Sequence, residues 1–554
     1  MRATNSIAER DAHYRAALPF TFGELALALI AGLPIIALLV AALTGSGASG
    51  LGARMLPAAL VDTGWLMLQV GFATTIIGFA TAWLVTHFDF FGRRLFAWAL
   101  VLPLAIPTYL SAYAWVEVMD FTGPVQTLIR ALTGAETMRE YWFPDIRNTA
   151  GAGFVMSLVL YPYVYLSCRA FFLMQSGAVD SVARVLGASA RRTFFEITLP
   201  LSRSAIGVGV TLALMEVVND LGAVRYFGVN SLTAILYATW LNRSSFGGAA
   251  QLALAIVLVM ALLISLEGLA RKAGNRLGQR DSRTPPPRAR LKGWAEIGAV
   301  LACLVPLALG FGVPAGDLIY LALKRAGSAA PAAFAMAFAT SVLLGALGAV
   351  LAVAAGYYTA LRAEAGRSLF GRGLIRLVTL GYAIPGTVLA LGLVAPLGAL
   401  DGLVNDAAYA LVDAGPGLIF SGSLFAIVYA YAVRFLAVGH NTLEAARARR
   451  GANVLDAARV LGANGPRLLF GVDLPTLMPA VVAAATLVFV ECVKELPATL
   501  LLRPLGVETL STLVFQQANA ELFESAALPA LGIVAAGIVP VILANLLSTR
   551  HEKS

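Results

Sequence analysis

The sequence predicts an all-α polytopic membrane protein of two tandem six-helix repeats, about 12 transmembrane helices in all. Three observations predict it. Of 554 residues, 59% are hydrophobic and only 13% charged, with mean hydropathy +0.80. A soluble domain of this length needs a more polar surface. Apolar runs long enough to cross roughly 30 Å of hydrocarbon recur along the chain. Segments of the first half also return in the second at a nearly constant offset.

The elements follow in order. Residues 1–21 are polar and read as a cytoplasmic tail. The run near 22–43 exceeds the roughly 7–15 apolar residues of a signal peptide, so it reads as a first span. Further runs lie near 60–86, 95–117, 152–174, 204–224 and 249–270, closing a first repeat over 22–270. Residues 271–293 carry eight Lys/Arg against one acid, Asp281, around Pro285–Pro287, and read as a basic cytoplasmic linker. Six more runs, near 296–316, 334–361, 374–398, 417–438, 477–500 and 526–547, make a second repeat over 294–548, followed by a tail at 549–554.

Charge orients these spans. Arg362, Arg367, Arg372 and Arg376 fill one loop, whereas the next holds Asp401, Asp406 and Asp413, with no Lys or Arg between Arg376 and Arg434. By the positive-inside bias both termini are cytoplasmic. The net charge of +9 is expected from such loops and implies no nucleic-acid partner; the partner medium is membrane lipid. Cys168, Cys303 and Cys492 stand apart in apolar runs, and the four histidines (13, 87, 440 and 551) are scattered, so no disulfide framework or metal site is expected.

Repeated segments mark what each half does. Ser181-Val182-Ala183-Arg-Val185-Leu186-Gly187 and Asp456-Ala457-Ala458-Arg-Val460-Leu461-Gly462 lie 275 positions apart. In each, nine residues separate the glycine from a β-branched residue, Ile197 or Val472, and a Leu-Pro follows: Leu199-Pro200 and Leu474-Pro475. Val182, Val185 and Leu186, like Ala457, Val460 and Leu461, form one apolar helix face. Asp180 or Asn453 can cap the start. Gly187 and Gly462 can stop the helix in the left-handed region. A second short helix follows, with Phe195/Leu199 and Phe470/Leu474 on one face, and Pro200 and Pro475 mark a turn into the next span. A duplicated polar element at the membrane surface suits docking to something in the aqueous phase.

The fifth span of each repeat carries ionisable groups, which are costly in hydrocarbon and therefore usually paired or functional. Glu216 and Asp220, like Glu491 and Glu495, are spaced to share a helical face, with Lys494 beside Glu491. Lining a pathway for a cationic solute is one reading; interfacial snorkelling, or a Glu491–Lys494 pair, is the other. Pro107 and Pro385 interrupt the third spans and could kink them around a gate. Even span numbers per repeat would relate the halves by an axis along the membrane normal, with a pathway between them.

The duplicated loop resembles the Glu-Ala-Ala loop of permease subunits of binding-protein-dependent ABC importers: Glu-Ala-Ala, three residues, Gly, nine residues, Ile-x-Leu-Pro. Asp456 replaces Glu and Val472 replaces Ile in the second copy, and Ser181-Val182-Ala183 departs further in the first. The resemblance implies a type I ABC importer permease fold, with transmembrane cores at about 64–267 and about 336–546. It also implies two cytoplasmic ABC ATPase subunits docked on the loops, a periplasmic solute-binding protein, and an inner (plasma) membrane location. Segments such as Lys494–Arg503, Tyr226–Asn230 and Ala526–Ala530, and the joining of both halves in one chain, resemble fused ferric-iron permeases. Fused permeases for thiamine or an aminophosphonate are similar. The chain has five lysines, none preceded by glycine, so it has no Gly-Lys-Ser/Thr phosphate loop. It is therefore expected to be no enzyme and to bind no cofactor, ATP being held by the partner. The alternative from another class is a twelve-span secondary transporter, faintly echoed by Asp89, Gly92, Arg93 and Arg94.

Overall fold

The computed structural model describes residues 22–44, 51–174, 189–275, 288–325, 331–365, 369–379, 381, 384–450 and 453–551. The chain opens with α1 (Phe22–Thr44) and the 37-residue α2 (Leu51–His87), then a two-residue strand, β1 (Phe88–Asp89). Next come α3 (Arg93–Ala99), α4 (Thr108–Met119), α5 (Pro124–Thr133) and α6 (Thr149–Met174). A short α7 (Ala190–Thr193) runs through a π turn into α8 (Leu199–Asn219). Then follow α9 (Gly222–Tyr226), α10 (Leu232–Leu241) and α11 (Phe246–Asn275).

After β2 (Ala289–Arg290), α12 (Trp294–Leu307) continues through a second π turn into α13 (Val313–Lys324). The rest is α14 (Pro331–Ala365), α15 (Leu369–Thr379), α16 (Gly386–Val412), α17 (Leu424–Arg450) and α18 (Asn453–Val460). A short α19 (Gly465–Leu468) passes through a third π turn into α20 (Leu474–Lys494), followed by α21 (Pro497–Leu502), α22 (Leu510–Asn519) and α23 (Phe523–His551).

Among the described residues, ten helices are long and apolar enough to cross a membrane. The last apolar run falls on the shorter apolar helix Phe523–Ile538. The third run is not one span with a kink: Arg93–Ala105 and Thr108–Thr133 meet at 91°. The proline ring drives Ile106 out of the helical region, to φ −100° and ψ 114°, and Pro107 then precedes a new helix. Pro385, at φ −55° and ψ 143°, likewise stands just before α16. Both prolines begin helices rather than bend them.

The compact units are assembled across the sequence repeats. One joins the chain up to Thr44 with Ala335–Thr509, and the other joins Gly45–Phe334 with the chain from Leu510 onward. In the first unit, α1 lies against α15 and α16. Gly392 makes this possible: a Cβ there would meet the Pro34 carbonyl oxygen at 2.5 Å. A buried Glu24–Arg362 ion pair and a 2.6 Å hydrogen bond from Tyr429 Oη to the Ile30 carbonyl hold the same helix.

In the second unit, the first helices of the later repeat cross α6, where a Cβ on Gly310 would lie 2.4 Å from the Leu158 carbonyl oxygen. Trp115 donates from Nε1 to Leu309 O at 3.3 Å. Small residues also let both α2 and α8 approach α6 closely at Val164, through Gly78 and Gly209. The basic linker is not wholly irregular. Its end pairs with β1 in parallel, Leu291 N–H donates to Asp89 O at 3.0 Å, and Phe91 N–H donates to Glu296 at 2.9 Å.

Candidate functional site: the duplicated loop and the fifth span

The second copy of the loop is described from Asn453, whose side chain lies outside the described residues. Helix α18 ends where the sequence predicts. Gly462 takes φ +87°, Ala463 N–H reaches back to Ala458 O at 2.9 Å, and Gly462 N–H to Arg459 O at 3.0 Å. This is the paired bond pattern of a glycine-terminated helix.

The face that packs inward differs from expectation. Leu455 and Ala458 are buried, whereas Ala457 is exposed and Val460 and Leu461 are each 87% exposed. The apolar face of the sequence reading thus points off the protein. Asp456 pairs with Arg459 on the helix surface at 2.8 Å, both about half exposed, a contact of little energetic weight.

Ser181, Val182, Ala183 and Gly187 lie outside the described residues, as do Asp180, Val185 and Leu186. The first copy is described from Ser189, and from there it parallels the second. Both short helices pass through a π turn, Phe194–Thr198 and Leu469–Asp473, directly into the fifth span. Pro200 and Pro475 therefore mark no turn; each sits at the head of a helix continuous with the turn before it. A proline removes one N–H and crowds the carbonyl four residues earlier, and the wider π turn relieves both.

The turn also shifts side-chain register. Phe195 and Phe470 are exposed, at 55% and 65%, rather than sharing an inward face with Leu199 and Leu474. Phe194 goes inward instead, against Trp83 at 4.9 Å and Phe79 at 5.9 Å. Ile197 and Val472 are half-buried.

The fifth-span acids divide into two kinds. Helix α8 stops at Asn219, so Asp220 leaves the helical path (φ −69°, ψ 129°) and does not share a helical face with Glu216. Its Oδ1 accepts from Ala223 N–H at 2.7 Å and Val224 N–H at 3.3 Å, starting α9, while Thr108 donates to Oδ2. Glu495 does the same beyond α20: it turns to φ −67° and ψ 112° and accepts from Ala498 N–H at 3.1 Å.

The closing partner differs. Arg434 on α17 lies 3.3 Å from Glu495 Oε2, both side chains buried. Gly386 stands after Pro385 where Thr108 stands after Pro107, and a Cβ there would lie 2.7 Å from the Arg434 guanidinium. The missing side chain makes room for the arginine. Glu216 and Glu491 remain on their helices, half-buried, and Lys494 pairs with Glu491 at 2.7 Å.

Sequence reading missed three groups of residues here. Arg434 had a signal, as the lone cation between Arg376 and Arg447 and inside an apolar run. Thr108 had none. Asp473, the variable residue between Val472 and Leu474, is buried against Tyr357, Arg447 and Arg450, and nothing local announced it. Among the described residues, no group of three or more His, Cys, Asp or Glu is placed to hold a metal ion.

The chain matches the family described as binding-protein-dependent transport system inner membrane component twice, over residues 74–277 and 352–553. It is 26% identical over 490 residues to the Fe(3+)-transport system permease protein FbpB 2 of Haemophilus influenzae, covering 87% of this chain and 88% of that one. It is 31% identical over 212 residues to the molybdenum transport system permease protein ModB of Escherichia coli, covering 36% and 88%. It is 27% identical over 164 residues to the sulfate transport system permease protein CysW of Escherichia coli, covering 29% and 53%. With the family matched twice over an all-helical polytopic chain, this protein belongs to the inner membrane components of binding-protein-dependent transport systems, and is a transport permease rather than an enzyme.

Proposed function

We propose that this chain is the permease of an ATP-driven ABC importer, gripped by two cytoplasmic ATPase subunits through its duplicated loops. The observation that carries this reading is the uncovered apolar tip of the second loop. Val460 and Leu461 are exposed beside the left-handed Gly462, on a helix whose other face is packed. Exposed apolar groups beside a polar rim suit a protein partner. The first loop, Ser181 to Gly187 with Ile197, Leu199 and Pro200, serves the second ATPase in the same way. Both termini then lie in the cytoplasm of an inner-membrane protein, and ATP is bound by the partner alone. The test is Leu461→Glu. ATPase copurification should fall at least tenfold while yield and melting of the permease are unchanged. Full copurification would sink the reading.

The solute we propose is ferric iron, handed over by a periplasmic binding protein. Support comes from coverage: the iron permease aligns with both repeats, whereas the molybdenum and sulfate permeases align with about one. Glu216 and Glu491 are the acids retained as pathway-lining candidates; Asp220, Glu495, Lys494, Pro107 and Pro385 shape the helix ends around them. Radiolabelled ferric iron, thiamine and molybdate uptake, with and without this chain, decides the solute. Uptake that persists without ATP and collapses with the proton gradient would favour a secondary carrier.

A further inference from the structure

The joint between the second loop and its fifth span contains a buried ionic knot. Asp473 closes the π turn Leu469–Asp473 and is 2% exposed. Its Oδ2 accepts from Tyr357 Oη on α14 at 2.6 Å and from Arg447 Nη1 on α17 at 2.6 Å. Its Oδ1 lies 2.6 Å from Arg450 Nη1, which also donates to Thr476 at 3.0 Å. One carboxylate thus ties three helices together at the point where the loop enters the membrane bundle.

The first joint is built otherwise. At the positions 275 residues earlier, Thr198 replaces Asp473 and Phe172 replaces Arg447. Phe172 packs on Phe79 at 5.8 Å, in the aromatic cluster that receives Phe194. Among the described residues, the contacts at that joint are between aromatic rings, which constrain direction less than an ion pair does. A carboxylate shared by a tyrosine and two arginines is directional, and displacing it strands buried charge.

We propose that Asp473 is a positioning residue for transport: it fixes the second loop rigidly to α14 and α17, so motion imposed at Val460–Gly462 moves these spans together. The two loops then transmit unequally, the second as a rigid lever and the first as a softer joint. This inference rests on the ATPase docking proposed above.

The experiment uses the full chain assembled with its ATPase and carrying Ala432→Cys on α17. Maleimide labelling of that cysteine is compared with and without ATP and vanadate, alongside ATP hydrolysis. Asp473→Asn should hydrolyse ATP within about twofold of the parent while the nucleotide-driven change in labelling falls at least fivefold. Asp473→Glu should restore it. Tyr357→Phe deletes one hydroxyl and leaves both arginines paired; it should still lower the response at least twofold, which keeps the idea testable if Asp473→Asn does not assemble. An unchanged response in Tyr357→Phe or Asp473→Asn overturns the inference, as does loss of labelling response only in proportion to lost ATPase. A parent chain that shows no ATP-driven response refutes the docking reading instead.

Discussion

Replacing Glu495 with Gln should destabilise the protein far more than replacing Asp220 with Asn, although the two occupy twin positions. Glu495 and Arg434 lie 3.3 Å apart, both within the bundle, and two unit charges at that distance attract by about 5 kcal/mol at an effective dielectric near ~20. Gln keeps an oxygen for the Ala498 N–H, so the helix-start bond survives. What is lost is the counter-charge of a buried guanidinium, and breaking such a pair from one side costs about 3–5 kcal/mol. Asp220 is held by Thr108 and two backbone N–H groups, all neutral donors. Asn preserves most of that geometry, and one weakened bond costs about 1 kcal/mol. Adding Arg434→Met to Glu495→Gln should recover about 2 kcal/mol or more, because no charge is then left stranded. The assay is the denaturation midpoint of purified protein in detergent, read as a double-mutant cycle. Equal costs for Glu495→Gln and Asp220→Asn would refute the reasoning. So would a fully stable Glu495→Gln that loses only transport, which would make Glu495 a pathway group.

Further outcomes follow from the space and backbone conformation at individual glycines. Gly386→Ala should destabilise by about 1–3 kcal/mol, since its Cβ would press on both Glu495 and Arg434; the melting midpoint checks this. Gly78→Ala and Gly209→Ala place a Cβ 2.6–2.8 Å from atoms of α6 and should lower folded yield. Gly64→Ala meets nothing within 4 Å and should be neutral or stabilising by up to about 1 kcal/mol. Gly462 also faces open space but sits at φ +87°, so Gly462→Val should cost about 1–2 kcal/mol through the backbone and disturb the loop tip. Gly462→Asn should be better tolerated, and ATPase copurification separates the two.

Much of this protein is legible from composition and spacing. Hydrocarbon thickness dictates the length of an apolar run, so most predicted spans coincide with a helix, whereas the runs through Pro107 and Pro385 are each divided between two helices. Duplication is visible because offset alone reveals it. Gly462 is legible because only the left-handed region explains a glycine just after an amphipathic turn. The π turns are not legible: their signal is one extra residue of helical path, which no periodicity of apolar residues over so short a segment can resolve. The same shift turned Phe195 and Phe470 outward and Phe194 inward.

The amino-acid sequence by itself determined the all-helical membrane class, the repeat, and the place and stop of the second loop, because these are local properties of burial and backbone. Tertiary structure alone decided which helices share a compact unit. It placed α1 with the later repeat through Gly392 against Pro34 and Arg362 against Glu24, each pair more than 330 positions apart. It alone paired Glu495 with Arg434, and Asp473 with Tyr357, Arg447 and Arg450. A buried charge must find its counter-charge wherever packing brings one within a few ångströms, and spacing along the chain carries no record of that meeting.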